Sequence, residues 1–423
     1  MQRVREWHRD FNRAIITSMD QFFISSPLGT EELLLSELEQ AGVSVRNKAN
    51  GGAYCKTRPL LALELLLTSR VASRIYRELS KFSISNEQEL LLKSTNWPWE
   101  SLFTLDQTFK VESSFDREAK RRFRNTLLLS QKLKDGIVDH FRGKYGSRPN
   151  VDTKQPDITI FMRIEQSTHN ERRFTVRILQ DLSGSPLSNR GYRRAIVHQA
   201  PLRENLAAAI IMLSNWKKDQ EPLVDSMCGS ATMLIEAALI KYNIPPSYLM
   251  IQEFLEENKG PWSFLNHLWF TQDSALKTGF DLLVKRLNQQ TIRGLASAKP
   301  GTFFGYDNSV PSLKIARDAT NRAKISHIIA LKKECATKLH PPSGKPCTIV
   351  CNPPYGERLG RDDELAHLYH QYGENLKQSF RGSTAYILIS NSQLRKKISL
   401  QTKRRIPLLN GGLECRLCEY LLF

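Results

Sequence analysis

The stretch Thr348–Cys351 runs straight into Asn352-Pro353-Pro354-Tyr355. A short apolar run of this kind reads as a buried strand. Two prolines then lock the backbone and remove two amide donors, so the strand stops there and its last carbonyls can point into a cleft. The surrounding sequence repeats this design. Pro222–Asp225 reads as a strand entering a turn of small residues, Met227–Ala231, and then a helix, Thr232–Ile240. Thr302–Gly305 reads as a strand ending in Tyr306 and Asp307. Ala385–Ser390 reads as another, and Glu204–Leu213, Ser312–Ala323 and Asp363–Phe380 read as helices. Strands alternating with helices imply right-handed βαβ units and a parallel sheet, an α/β fold. Asp225, Asp307 and Asn352 all fall at strand carboxyl ends, where such sheets bind ligands.

The residue types at these ends suggest the chemistry. The turn Asp225-Ser226-Met227-Cys228-Gly229-Ser230-Ala231 lets backbone amides approach a ligand closely. It lacks the G-x-G-x-x-G pattern of a dinucleotide site, which disfavours a Rossmann oxidoreductase. Asp307 suits a ribose diol. It lies 82 residues beyond Asp225, against about 20 in a simple βαβ unit. An insertion bearing Trp262 and Trp269 must intervene; otherwise Asp307 is an ordinary helix cap. In Asn352–Tyr355, the Asn side chain and carbonyls freed by the prolines can hold an exocyclic amine by its two hydrogens. Tyr355 offers a flat face on which the attached base can stack. Acceptors that favour a tetrahedral nitrogen make that amine nucleophilic toward a methyl donor without a strong base. Read alone, the same motif is a Pro-rich turn with Asn as an ordinary turn former.

The first half is different. Phe22–Ser26 and Ala53–Lys56 read as strands, and Gly29–Gly42 and Leu60–Ser69 as helices, giving a small α+β module. Lys110–Glu112, Asp157–Ile164 and Arg173–Leu179 read as strands, with a helix at Leu127–Phe141. Asp181–Arg190 is the strongest linker signal. The chain carries 61 Lys and Arg against 43 Asp and Glu, a net charge of +18. Half of that excess lies between Lys110 and Arg194, with nineteen cations against ten acids, and it is densest at Lys120, Arg121, Arg122 and Arg124. A second cluster is Arg395, Lys396, Lys397, Lys403, Arg404 and Arg405. Clustered cations are the footprint of phosphate binding, although most charge runs are solvated helix faces. No strongly amphipathic helix accompanies the charge and no apolar run reaches the length of a membrane span, so nucleic acid is favoured over a membrane.

The seven cysteines suit a reducing, cytoplasmic setting better than a disulfide scaffold. Cys347/Cys351 and Cys415/Cys418 mimic a zinc site. However, the first pair lies in a buried strand, and positions i and i+3 of a strand point to opposite faces. No metal is expected. Residues 1–18 read as a short extension, since Glu6 and Asp10 argue against a transit peptide and no apolar segment suggests a secretory signal.

At this point a resemblance becomes plain. Gly191-Tyr192-Arg193-Arg194, Pro201–Ala207, Asp225–Ala231 with Leu234–Ala238, Asn352–Gly360 and Asn410-Gly411 with Leu413–Cys415 resemble the RNA guanine-N2 methyltransferases. The resemblance is strongest to the first half of the bacterial bifunctional large-subunit (23S) ribosomal RNA methyltransferases and their stand-alone relatives, and covers residues 19 to 423. Asp152 and Pro156-Asp157 fit the same pattern. The resemblance implies a ferredoxin-like module (19–64), a THUMP RNA-binding domain (65–182) and a Rossmann-like class I methyltransferase domain (190–423).

It further implies S-adenosylmethionine as cofactor. Pro201, Glu204, Asn205 and Leu206 would line its methionine side, and Asp225, Met227, Cys228, Gly229 and Ser230 would lie beneath it. Asp307 would hold the ribose and Glu334 the adenine, while Asn352, Pro353, Pro354 and Tyr355 would clamp the guanine. Lys120, Arg121, Arg122, Arg124, Arg193 and Arg194 would contact RNA, with ribosomal RNA or a ribosome assembly intermediate as partner. The chain departs from the family at Ser226, usually Pro, and at Ala231, usually Gly. Three other readings compete: a transfer RNA guanine-N2 methyltransferase, a catalytically silent RNA-binding or ribosome-assembly factor, and a DNA adenine methyltransferase.

Overall fold

Each half of the chain builds one seven-stranded sheet. The computed structural model describes residues 19–168, 170, 172–193, 202–354 and 362–423. In the first half the strands are β1 (Asp20–Ser25), β2 (Ser44–Ala49), β3 (Gly52–Thr57), β4 (Arg74–Ile84), β5 (Phe109–Phe115), β6 (Ile158–Gln166) and β7 (Phe174–Asp181). Their order is β2-β3-β1-β4-β7-β6-β5, and β5 with β6 is its parallel pair. The two expected N-terminal modules therefore share one sheet. β4 joins them, pairing with β1 through Arg74–Arg77 and with β7 through Tyr76–Ile84.

Two of these strands are absent from the sequence reading, for physical reasons. β4 is central yet charged, and its charges are paired: Arg74 with Asp181, Arg77 with Asp20 at 2.9 Å, and Glu78 with Arg177. β2 is an edge strand with exposed Arg46 and Lys48. Such residues keep an edge from pairing with other chains and also mask its strand character.

The expected linker is corrected as well. Beyond Asp181 it holds no helix or strand, but Leu182, Ser183, Leu187, Ser188 and Arg190 are buried. The amides of Leu182 and Leu187 donate to Ile75 and Ser73. Gly184 takes φ +71°, and a Cβ there would lie 2.4 Å from the Pro261 carbonyl. Turn-forming composition here makes a packed corner rather than a free tether.

The second sheet contains β8 (Leu223–Asp225), β9 (Phe303–Asp307), β10 (Ile329–Lys333), β11 (Thr348–Cys351), β12 (Thr384–Ile389), β13 (Arg404–Asn410) and β14 (Leu413–Leu421), ordered β10-β9-β8-β11-β12-β14-β13. From β10 to β12 the strands are parallel, and β14 runs antiparallel to both its neighbours. The helices Glu204–Leu213, Thr232–Lys241 and Val310–Arg322 cover one face, and Asp362–Ser379 covers the other. Cys415 faces the first core and Cys418 the second, the opposed orientation expected of that pair. None of the seven cysteines is in a disulfide.

The insertion expected before Asp307 is helical: Tyr248–Glu257, Leu268–Thr271 and Ser274–Ser297. Trp262, Phe264, Phe270 and Phe280 pack edge-on or stacked against one another. They share one apolar core with Phe22, Ile24 and Leu63 of the N-terminal module. The insertion thus joins the two halves.

Candidate active site at the sheet crossover

The order of the second sheet reverses between β8 and β11. A crevice opens outside the carboxyl ends of two parallel strands at such a reversal, because their connections leave in opposite directions. Asp225 ends β8, Asp307 ends the neighbouring β9, and Asn352 follows β11 directly.

Asp225 is 1% exposed, and the Met227 amide donates to its Oδ1 at 3.3 Å. Burial pushes its carboxyl up to about 8; the Met227 amide opposes that rise and the Asp307 charge adds to it. Asp307 is half-buried. Its Oδ2 accepts from the Gly229 amide and its Oδ1 from the Ser309 amide, both at 2.9 Å. Asp307 is therefore not the cap of the helix Val310–Arg322. That role falls to Ser309, whose hydroxyl accepts from the Ser312 amide. A carboxylate has about four acceptor positions, so two amides leave it room for two hydroxyls.

The turn between them is pinned by the Cys228 amide donating to the Tyr306 carbonyl at 2.8 Å. Gly229 takes φ +52°, and among the described residues no atom beyond its chain neighbours lies within 4 Å of where its Cβ would sit, so this side of the turn is open to them. Ala231 is fully buried in the left-handed region at φ +59°, as N-cap of the helix Thr232–Lys241. A non-glycine residue there costs about 1–2 kcal/mol. The departure from Gly thus strains the backbone, and its methyl lies in the core among the buried apolar side chains. Ser226, where the family has Pro, is buried with its Oγ 2.6 Å from the Tyr372 hydroxyl.

Asn352 is half-buried, and its Oδ1 is buried without a hydrogen-bond partner among the described residues. A buried acceptor left unmatched costs about 1–3 kcal/mol, so a donor brought to this oxygen would be favoured. Pro353 is buried, and the Tyr369 hydroxyl donates to the Pro354 carbonyl at 3.2 Å, bracing the turn from the next helix. Tyr369 and Tyr372 stand three residues apart on one helical face; that spacing is the signal by which the sequence could have flagged them as supports of the site. Glu334 follows β10, with its amide donating to the Asp307 carbonyl at 3.1 Å, which sets it beside the ribose candidate.

Other expected residues lie elsewhere. Glu204 is buried and faces Arg193, which binds it through Nε at 2.7 Å and also donates to the Leu202 carbonyl at 3.0 Å. Arg193, expected to contact RNA, is thus engaged within the fold. The Asn205 amide points at the N-terminal module, donating to Ser73 Oγ at 3.0 Å and to the Val71 carbonyl at 3.3 Å. Leu206 is core. Pro201, Arg194 and Tyr355 lie outside the described residues. Lys120, Arg121, Arg122 and Arg124 are all exposed. Arg121 pairs with Glu118 at 3.0 Å, and Arg122 lies over the Phe123 ring at 5.6 Å.

The model of the RMKL-like methyltransferase domain matches residues 190–419, more than half of the chain. The chain belongs to that methyltransferase family. The THUMP domain matches residues 85–169, and the RlmL ferredoxin-like domain matches 21–76. Relatives include the ribosomal RNA large subunit methyltransferase K/L of Photobacterium profundum, 35% identical over 96% of this chain and 53% of its own length. The protein of the same name from Vibrio campbellii is 34% identical over 95% and 53%. The chain spans about half the length of these relatives. Among solved structures, SMU.472 in complex with SAH has a TM-score of 0.76 at 24% identity, covering 96% of this chain and 99% of that one. TrmN from Thermus thermophilus has a TM-score of 0.61 at 19% identity, covering 96% and 100%. These likenesses establish the class I methyltransferase fold behind a THUMP-bearing half, as the sequence resemblance implies.

Proposed function

We propose that the chain methylates the exocyclic N2 amine of a guanine in RNA, with large-subunit (23S) ribosomal RNA as the substrate and S-adenosylmethionine as the donor. The observation that carries this reading is the Oδ1 of Asn352, buried and without a hydrogen-bond partner among the described residues, one strand across the reversal from Asp225. The residues present suit the donor. Gly229 leaves an open approach, Asp307 keeps acceptor capacity for a ribose, and buried Asp225 is a carboxyl that a cationic amino group would help to ionise. Bound there, S-adenosylmethionine supplies an electrophilic methyl group.

The protein's own work is positioning. Asn352 Oδ1 and the carbonyls of the Pro353-Pro354 turn accept from the two amine hydrogens, and Tyr355 supports the base. Holding both hydrogens draws the nitrogen lone pair out of conjugation with the ring and toward the donor. Lys120, Arg121, Arg122 and Arg124 lie in the THUMP match and supply the RNA clamp. The names of the curated relatives and the THUMP match favour ribosomal RNA, met in the cytoplasm on the free RNA or on a ribosome assembly intermediate. No helix among the described residues is long and apolar enough to cross a membrane.

Mass-spectrometric mapping of large-subunit RNA from a strain lacking the gene tests the proposal. One N2-methylguanine should disappear and return with the wild-type gene, but not with Asn352→Ala. An unchanged guanine methylation map would overturn the substrate assignment.

A further inference from the structure

The six cations of the C-terminal cluster divide in the structure. Lys403 and Arg404 both pair with Glu419, at 3.3 and 3.0 Å, and Arg404 also donates to the Leu213 carbonyl. Arg395 and Arg405 instead line a cleft of about 750 Å³, together with Arg416. None of these three has a carboxylate partner among the described residues. Arg405 and Arg416 lie on one face of the β13–β14 hairpin, since Arg405 is opposite Cys418 and Arg416 is opposite Pro407. Arg395 comes from the short helix Ser392–Lys397, which follows β12. All three line the same cleft as Cys418, which is opposite Arg405 and two residues from Arg416 on that face.

The cleft joins the two halves of the molecule. Its far wall is the first turn of the N-terminal module, Leu28, Gly29 and Glu31. The Leu409 amide donates to the Leu28 carbonyl at 3.2 Å. Gly29, at φ +90°, lies so near that a Cβ would be 2.2 Å from the Pro407 carbonyl. The carboxylate of Glu31 accepts from the amides of Gly29 and Gly51, at 2.8 and 3.0 Å. Glu414, the other acid of the lining, is exposed. The cleft also abuts the candidate active site. β11 and β12 run parallel with Cys351 beside Ile387. Ile389 and Ser390 of the lining therefore lie at the same carboxyl edge of the sheet as the Pro353-Pro354 turn, on the neighbouring strand.

We propose that Arg395, Arg405 and Arg416 form a phosphate clamp that grips the RNA backbone next to the target nucleotide. This deepens the reading of the chain as an RNA methyltransferase and rests on it. Three guanidinium groups without acidic partners among the described residues, on a wall fixed by Gly29 and Leu409, can bind phosphate oxygens through paired N–H donors. Their place between the THUMP-bearing half and Asn352 suits a strand held by the first half and reaching into the second. Such contacts set register and carry no base information.

The test replaces all three arginines with Gln in the full chain. Binding to a large-subunit ribosomal RNA fragment and to poly(U) is then measured across a salt series, with S-adenosylmethionine binding and melting temperature as controls on the fold. Each lost phosphate contact should lower the slope of log affinity against log salt by about 0.7–0.9, so about two to three in all. Both RNAs should weaken to a similar extent. KM for RNA should rise while kcat at saturating RNA stays near wild type, and cofactor binding should not move. Unchanged salt slopes and an unchanged KM would overturn the clamp, even where Asn352→Ala abolishes transfer and so upholds the methyltransferase reading. If the triple variant misfolds, the three single variants serve, each with an expected slope change of just under one; no change in any of them would also overturn it.

Discussion

Asp225 is a carboxyl held at about 8 by burial, and the sign of its effect on stability follows. A group whose pKa is raised on folding stabilises the fold fully below its unfolded value, and that contribution is lost as pH rises toward the folded value. The protein alone should therefore lose stability between about pH 4 and pH 8, and Asp225→Asn should flatten that slope in a thermal melt recorded across pH. A variant that melts with the wild-type pH profile would remove Asp225 as its source. Binding of a cationic amino group should expel the Asp225 proton below about pH 8, which calorimetry in two buffers of different ionisation heat detects. Asp307 acts differently, because its oxygens already hold the Gly229 and Ser309 amides. Asp307→Asn keeps one acceptor and should weaken cofactor binding about tenfold, and Asp307→Ala up to about a hundredfold, as expected for charge-assisted bonds worth roughly 1.5–3 kcal/mol. Unchanged affinity in a titration would place the ribose acid elsewhere.

Among the elements, the strands that end at the candidate site were the legible ones. β8, β9 and β11 are short, apolar and sharply stopped, and each stop is a chemically distinctive residue. β4 and β2 were not, because paired charges in a central strand and cationic residues on an edge strand both erase the alternation that sequence reading relies on. Asp181–Arg190 misled in the opposite sense, since Gly and Pro mark a turn without saying whether it is packed. Glu204 and Asn205 show the same limit for the site. Proximity in sequence to the matching Pro201–Ala207 stretch does not say which way a helical side chain points, and these two point at Arg193 and at the N-terminal module. The short helix Arg117–Arg122 carries its cations outward, with Arg121 tied to Glu118. If the quartet Lys120, Arg121, Arg122 and Arg124 clamps RNA, four neutral substitutions should lower the salt slope of RNA binding by about three and leave cofactor binding intact. A solvated face predicts no change in that slope.

At the scale of the molecule, the two halves are joined by the insertion, by the packed corner after β7 and by the contact of Gly29 with β13. Phe280 lies at the centre of the aromatic cluster that spans this joint and is fully buried. Phe280→Ala should cost about 3–5 kcal/mol and weaken RNA binding more than cofactor binding, since the crossover site lies wholly in the second sheet. The proposed chemistry turns on Asn352 as the acceptor that awaits a base amine. The most direct measurement pairs methyl transfer to large-subunit RNA with cofactor affinity in Asn352→Ala. Transfer should fall by about 10²–10³ while S-adenosylmethionine binding stays near wild type. A variant that keeps more than half its activity, or that loses the cofactor instead, would contradict that role for Asn352.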